Sequence, residues 1–505
     1  MKAPFKRCGV RMSVPSNKVF KEFYKVIENF GYAAIVYDRT TGRLEYLVIE
    51  PELSEKERKL LEKIKNYIIE TSEPDMEILH DRKAMEEYVR RRFEEIIKKY
   101  KIKVKPESKD KLVYYLIRDL LGYGELEVMM RDPNIEDISC DGVGLPVYVW
   151  HRRYESLPSN IIYETNEDLM RTLNKLAYKA GKQISVAFPI VEGALPEGYR
   201  VHLTLSEVSR RGGTFTIRKF REEPYTVIDL IRFGTMSPLL GAYLWLLVDL
   251  KRSAMVLGVT GSGKTTTLNA IAMFIRPEAK IVTIEDTPEI NLPHENWIPL
   301  VTRPSHEAWR MNVTLYELLR TALRQRPDYI IVGEIRGEEA YTLFQAIATG
   351  HAGLSTMHAE NVHYAIKRLE TRPMNVPKEL IPMMNVFIEI ARIERKGTIF
   401  RRIIGVYEAL GLTPDGEDVE LHQVFKWDPI SDKIEFTGKS PLLERIPEMG
   451  VYVIGDLMEE LRVREAILRR LVELDIRSFR EVAKVIREYY YRPESVKRKF
   501  MVGVR

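Results

Sequence analysis

The chain has 505 residues, 78 basic and 73 acidic side chains, and a formal net charge of +5 at pH 7. That length is more than one hydrophobic core serves, so two or three domains are expected, and the near balance of charge gives no nucleic-acid signature. The two cysteines, Cys8 and Cys140, exclude a disulfide framework and a four-cysteine zinc site, and they suit a reducing compartment. The longest apolar run, Leu239 to Leu250, falls short of the roughly 18 residues a membrane span needs and reads as a core helix. Lys2, Lys6, Arg7 and Arg11 interrupt any secretory apolar region, so a cytoplasmic location is expected.

In chain order, residues 1–105 are charge-rich, and helical spacing of apolar residues over Ser54–Ile69 and Arg82–Lys103 predicts a largely helical N-terminal region. The first 21 residues carry basic side chains and no acidic one, which suits either a solvated tail or attachment to an acidic lipid surface or a partner. Lys101–Pro106 reads as a linker. Over residues 106–235, short helices alternate with β-rich segments such as Pro146–Trp150 and Gly213–Ile217, predicting a second, α+β domain. Residues 236–505 alternate strands and helices in the order of a parallel sheet and end in a charged helical stretch, Asp456–Tyr491.

The stretch Gly258-Val-Thr-Gly-Ser-Gly-Lys-Thr265 satisfies G-x-x-x-x-G-K-[ST] and lies between the apolar run Ala254–Leu257 and a helix-like segment. Gly258, Thr260, Gly261, Ser262 and Gly263 then form a loop whose N–H groups cradle phosphate. Lys264 reaches the β- and γ-phosphates, Thr265 ligates Mg²⁺, and Thr266 continues the helix N-terminus. ATP and Mg²⁺ are the expected ligands. The apolar segments Ile281–Ile284 and Tyr329–Gly333 lead into Glu285, Asp286 and Glu334. In a parallel sheet these acids reach the carboxyl edge beside the phosphate loop, where one holds Mg²⁺ through water and another orients the attacking water. Glu285 and Glu334 share these roles unranked, with Glu334 the expected metal-side group. His351 and His358 flank a short β-like stretch as phosphate contacts or as core histidines.

These residues resemble the secretion ATPases of type II and type IV systems, including those that drive type IV pili and archaeal flagella. Gly258–Thr265 resembles the family's Walker A, Thr283–Glu289 its Asp box, Ile331–Arg336 its Walker B and Thr349–Ala359 its His box, in the family order. Asp119–Gly124 and Arg131–Ile138 resemble the opening of its PAS-like N-terminal domain, so the likeness covers roughly residues 110–410. The resemblance implies an α/β fold with a RecA-like P-loop motor domain after a smaller α+β PAS-like domain. It also implies a homo-hexameric ring and nucleotide held between the two domains. Bacterial type II members usually carry a four-cysteine zinc module, so the archaeal branch is the better likeness.

In that family, arginines of the N-terminal domain reach the γ-phosphate when the domains close. Arg200, Arg210, Arg211 and Arg218 are the candidates here, since a guanidinium donates in bidentate fashion to phosphate oxygens. Gly212 and Gly213 are expected to form a tight hairpin turn carrying the flanking arginines. Arg336 either pairs with a carboxylate or signals nucleotide state. The resulting expectation is a Mg²⁺-dependent ATPase at the cytoplasmic face of the membrane, with His358 and the arginines coupling phosphate to domain position. Its motion acts on a polytopic membrane platform protein. Two other readings stand beside it: a nucleic-acid translocase, which a basic stripe lining the ring or DNA-stimulated turnover would favour, and a nucleotide-gated docking platform.

Overall fold

The computed structural model describes residues 17–71, 81–220, 223–303, 312–395, 398–446 and 453–500. Cys8 and most of the basic tail lie outside them. Two compact units divide the chain, residues 1–221 and 222–505, each built on a nine-stranded sheet.

The sheet of the first unit contains β1 (Lys18–Ile27), β2 (Gly31–Asp38), β3 (Arg43–Ile49), β4 (Ile135–Cys140), β5 (Pro146–His151) and β6 (Glu155–Ile162). It is completed by β7 (Ile190–Ala194), β8 (Arg200–Thr204) and β9 (Thr214–Arg218), in the order β1-β2-β3-β6-β5-β4-β9-β8-β7. The first three strands are absent from the sequence reading, which expected helices there. They join the rest by one parallel pairing, Tyr46 with Ser159. Asn160 reinforces that seam, its amide accepting from Val48 N (2.8 Å) and donating to Val48 O (3.0 Å). The fully buried Asp132 adds a second tie, accepting from the Tyr24 and Tyr46 hydroxyls at 2.7 and 2.8 Å. The expected helices do form, at Glu55–Thr71 and Arg82–Lys99. With Pro106–Leu120 they bury Leu61, Ile64, Phe93, Ile96, Leu112 and Leu116 in a core of their own.

The second unit's sheet holds β10 (Ala254–Leu257), β11 (Ile281–Glu285), β12 (Trp297–Val301), β13 (Tyr329–Val332) and β14 (Ala352–Met357). To these are added β15 (Val386–Arg395), β16 (Thr398–Leu412), β17 (Val419–Asp428) and β18 (Lys433–Phe436), in the order β12-β11-β13-β14-β10-β15-β16-β17-β18. The first six in that order run parallel, and β16 to β18 extend them as an antiparallel meander. Both faces of the parallel part are covered, which explains the unbroken apolar strands. Ala254 and Val256 of β10 face one core, Met255 and Leu257 the other.

Residues 223–235, grouped by sequence with the middle domain, pack in the second unit. Val227, Ile228 and Leu230 lie in its core, and Thr226 caps the helix Val227–Arg232 while its hydroxyl donates to Arg477 O at 3.2 Å. The apolar helix at Pro238–Asp249 is a core helix as expected, started by the Ser237 cap and a proline at its first turn. Against it pack the terminal helices Ile454–Glu473 and Phe479–Tyr491. Arg464, 3% exposed, ion-pairs with Asp249 and lies over the rings of Trp245 and Tyr489. Among the described residues no helix is long and apolar enough to cross a membrane.

Removing the Arg464 guanidinium takes one cationic partner from the buried Asp249 carboxylate and leaves the Arg276 contact at 2.6 Å. Arg464→Ala is therefore expected to lower the stability of the second unit by about 3 kcal/mol or more. Arg464→Met, which keeps the volume, should lose as much or more than it restores through packing unless Asp249→Asn accompanies it; paired thermal unfolding curves of the single and double variants check this.

Candidate functional site

The motif segments of the second unit meet because of strand register. Leu257 of β10 aligns with Met357 of β14 and Glu389 of β15, and Val332 of β13 aligns with Ile284 of β11 and Ser355 of β14. Residues following these positions emerge together at the carboxyl edge: Glu285 and Asp286 from β11, Gly333 and Glu334 from β13, His358 from β14, and the loop 258–263 from β10. Backbone bonds fasten the edge, with Gly258 N donating to Met357 O (3.4 Å) and Gly333 N to Ile284 O (2.9 Å).

The loop is shaped for close backbone approach. A Cβ at Gly258 would meet Ser262 Oγ at 2.4 Å and Ile390 O at 2.5 Å. Gly261 (φ 74°) and Gly263 (φ 97°) occupy the left-handed region, where other residues are strained. The helix Lys264–Ala272 begins directly after, so its first amides point at the loop. Thr260 is exposed, Thr265 and Thr266 are half-buried in the first helical turn, and Ser262 is buried with its Oγ lacking a hydrogen-bond partner. Lys264 Nζ donates to Val259 O at 3.1 Å. Burial pushes its pKa down, opposed by the charges of Glu334 and Glu289. A glycine-lined cradle, a helix N-terminus, an orphaned hydroxyl and a lysine together fit a polyphosphate, and Thr265 with the Glu334 carboxylate fits hydrated Mg²⁺.

The two glutamates differ in environment. Glu285 is 3% exposed, and its Oε1 accepts from Glu289 N (2.9 Å) and Ile290 N (3.0 Å), closing the loop after β11. Burial, the largest effect, pushes its pKa up to about 7 despite those amides. Glu334 is half-buried and open to solvent. Arg336 ion-pairs with Asp286, bridging the ends of β11 and β13, and lies 3.9 Å from Glu334. Glu339 holds this turn by accepting from Arg336 N (2.7 Å) and Gly337 N (2.8 Å). The His358 side chain is exposed at the edge, with its carbonyl accepting from Arg368. His351 sits at the opposite end of β14, its Nδ1 3.1 Å from Ala346 O.

All four candidate arginines lie in the first unit. Arg200 and Arg218 face each other across β8 and β9, and Arg218 also stands opposite Asp137. Arg200 pairs with Glu192 at 3.6 Å. These two arginines line an open basin of about 560 Å³ with Tyr148, Trp150 and His202. Arg210 and Arg211 sit in the connection 205–213, which is longer than the tight hairpin turn expected. A Cβ at Gly213 would press on Leu173 Cδ1 at 2.4 Å and on Thr204 O at 3.1 Å, so the chain packs closely there, and the Arg211 carbonyl accepts from Val143 N at 3.1 Å. Sequence reasoning passed over Glu389, whose Oε1 accepts from Val362 N at 2.6 Å and so braces the helix following His358. It also passed over Arg401, whose Nε donates to Gly261 O at 3.1 Å. Neither carries a local motif.

A complete phosphate loop at the carboxyl edge of a parallel α/β sheet, flanked by strand-end acids, defines a RecA-like P-loop ATPase domain. Residues 143–392 match the family described as Type II/IV secretion system protein. An uncharacterized protein of Methanocaldococcus jannaschii is 40% identical over 479 residues, covering 90% of this chain and 86% of that one. The type IV secretion system protein PtlH of Bordetella pertussis is 35% identical over 218 residues, covering 38% of this chain and 64% of that protein. The VirB11 ATPase from the Brucella suis type IV secretion system, solved with sulphate, is 26% identical with a TM-score of 0.30, covering 55% of this chain and 90% of that one. The chain belongs to the Type II/IV secretion system protein family and is a secretion ATPase of the P-loop class.

The raised pKa of Glu285 has a stability consequence. Its folded form holds a proton that the unfolded chain, with an ordinary glutamate value near 4.5, has already released. The stabilisation is therefore full below the unfolded value and is lost as pH rises through about 7. Wild-type stability should fall between about pH 5 and about pH 8 by on the order of 3 kcal/mol from this group. Glu285→Gln, which still accepts from the two amides, should flatten that part of the curve in denaturant titrations at stepped pH.

Proposed function

We propose that this ATPase is a cytoplasmic motor, peripherally attached to the membrane, that assembles as a homo-hexameric ring and pushes on a polytopic membrane platform protein. The work is protein secretion or the assembly of pilus- or archaellum-type filaments. The observation that carries the reading is the convergence of Lys264, Glu285, Glu334 and His358 on one sheet edge in a chain of this family. Relatives named for type IV secretion support the secretion setting.

In this reading the loop amides and Lys264 bind the ATP phosphates, and Thr265 and Glu334 hold the hydrated metal. Bound Mg²⁺ would offset charge on the β- and γ-phosphates. Glu334, the more accessible carboxylate, orients the attacking water. Glu285 acts as a positioning residue, since its Oε1 is committed to the loop amides. His358 and Arg200, Arg210, Arg211 and Arg218 couple phosphate to domain position, the arginines by donating to the phosphates on domain closure. An acidic lipid surface is a further attachment for the basic N-terminal tail.

Lys264→Ala is expected to lose nucleotide binding, whereas Glu334→Gln should keep ATP bound and hydrolyse it about a hundredfold more slowly or less. Glu285→Gln should lose less than Glu334→Gln. The deciding assay is ATPase rate against protein concentration, with and without anionic vesicles and single-stranded DNA, using Lys264→Ala as the blank. Turnover rising with assembly and lipid but indifferent to DNA supports the motor. Stimulation by DNA alone points to a translocase, and absence of turnover to a docking platform.

A further inference from the structure

We propose that Arg401 is a positioning residue of the phosphate loop, gripping it from β16 so that its amides stay aimed at a nucleotide phosphate. This rests on residues 258–265 being the nucleotide site. Arg401 Nε donates to Gly261 O at 3.1 Å, and its Cδ lies 3.3 Å from where a Cβ on Gly263 would sit. Its stem and guanidinium thus lie along both left-handed glycines of the loop. Such glycines gain no rigidity from their own side chains, so an external grip is what restricts them.

Strand alternation explains why the grip is stable. Arg401 and its neighbour Arg402 project to opposite faces of β16. Arg402, 6% exposed, is fixed by two bonds of 2.8 Å to Asp432 and one of 2.9 Å to Phe233 O. That anchor sets the strand, and β15 supports it, with Ile390 O against Gly258. Among the described residues Arg401 forms no ion pair, so its charge is not neutralised by a neighbouring acid.

The chemistry follows from the peptide group that Arg401 holds. Gly261 C=O and Ser262 N–H belong to one peptide unit, and a cation bonded to the carbonyl polarises the unit, strengthening the N–H as a donor. Ser262 N–H spends itself on a long 3.3 Å bond to Val259 O, which a phosphate oxygen can replace. A nucleoside di- or triphosphate benefits in either case, so the effect falls on binding more than on the chemical step. Arg401 lies beyond residues 143–392, the span matched by the family.

The test measures binding of fluorescent ADP and ATP analogues to the full chain, together with kcat and KM for ATP. The variants are Arg401→Ala and Arg401→Lys, with Lys264→Ala as the reference for a broken site. Arg401→Ala should weaken binding of both nucleotides and raise KM by about tenfold to a hundredfold, the range for losing a hydrogen bond to a charged group, with kcat within about threefold. Arg401→Lys, which keeps the charge and a donor, should recover most of the affinity, and the nucleotide-free melting temperature should be unchanged in both. Wild-type affinity in Arg401→Ala, or a lowered melting temperature without rescue by lysine, would overturn this role alone. A wild-type chain that binds neither nucleotide would overturn the reading of the loop and this role together.

Discussion

The register of one four-residue strand governs the second unit. β10 is bonded on both sides to parallel neighbours, and its side chains alternate between two separate cores. A slip of one residue would turn Met255 and Leu257 toward the face built for Ala254 and Val256, reversing every side chain at once. The apolar packing therefore fixes the level at which β10 ends. Because β14 and β15 are locked to the same level, Gly258, His358 and Ile390 arrive side by side. Gly258 is the only residue type that fits there, since the Ile390 carbonyl fills the space a Cβ would need. The edge that gathers the candidate site residues is in this sense a product of the hydrophobic core.

That core also sets the electrostatics. Lys264 and Glu285 are both shifted toward their neutral forms by burial, and Glu334 keeps more contact with water. Ionisable groups packed close together are a standing cost to folding, and perturbed values of this kind concentrate at functional sites. The Asp286–Arg336 pair and the Glu339 turn keep the same edge ordered, with Arg336 also 3.9 Å from Glu334.

Much of this edge was legible in the sequence, because each of its parts is a short segment with its own signal. The loop glycines, the apolar runs ending in Glu285 and Glu334, and the buried helix after Ser237 depend on neighbours a few residues away. The meander β1 to β3 was not legible. Lysines and glutamates interrupt β1 and β3, β2 is a buried run that does not alternate, and the ties to the rest of the unit rest on Asn160 and Asp132, each more than 80 positions from its partners. The connection 205–213 was misread because Gly212 and Gly213 answer to packing against Val143 and Leu173 and not to a two-residue turn. Arg401 was invisible for the plainest reason: its partner Gly261 lies 140 residues away.

The strand orders also determine what lies at the rims of the two sheets. β1 carries Lys18, Lys21 and Lys25, β7 is only five residues long, β12 has Pro299 in its middle, and β18 bears Lys433 and Glu435. Charge, brevity and proline each discourage another chain from adding a strand. A cell can thus accumulate this protein with little risk of sheets fusing edge to edge into fibrils. These rims favour association through side-chain surfaces, which separate and re-form far more readily than a continuous hydrogen-bonded ladder.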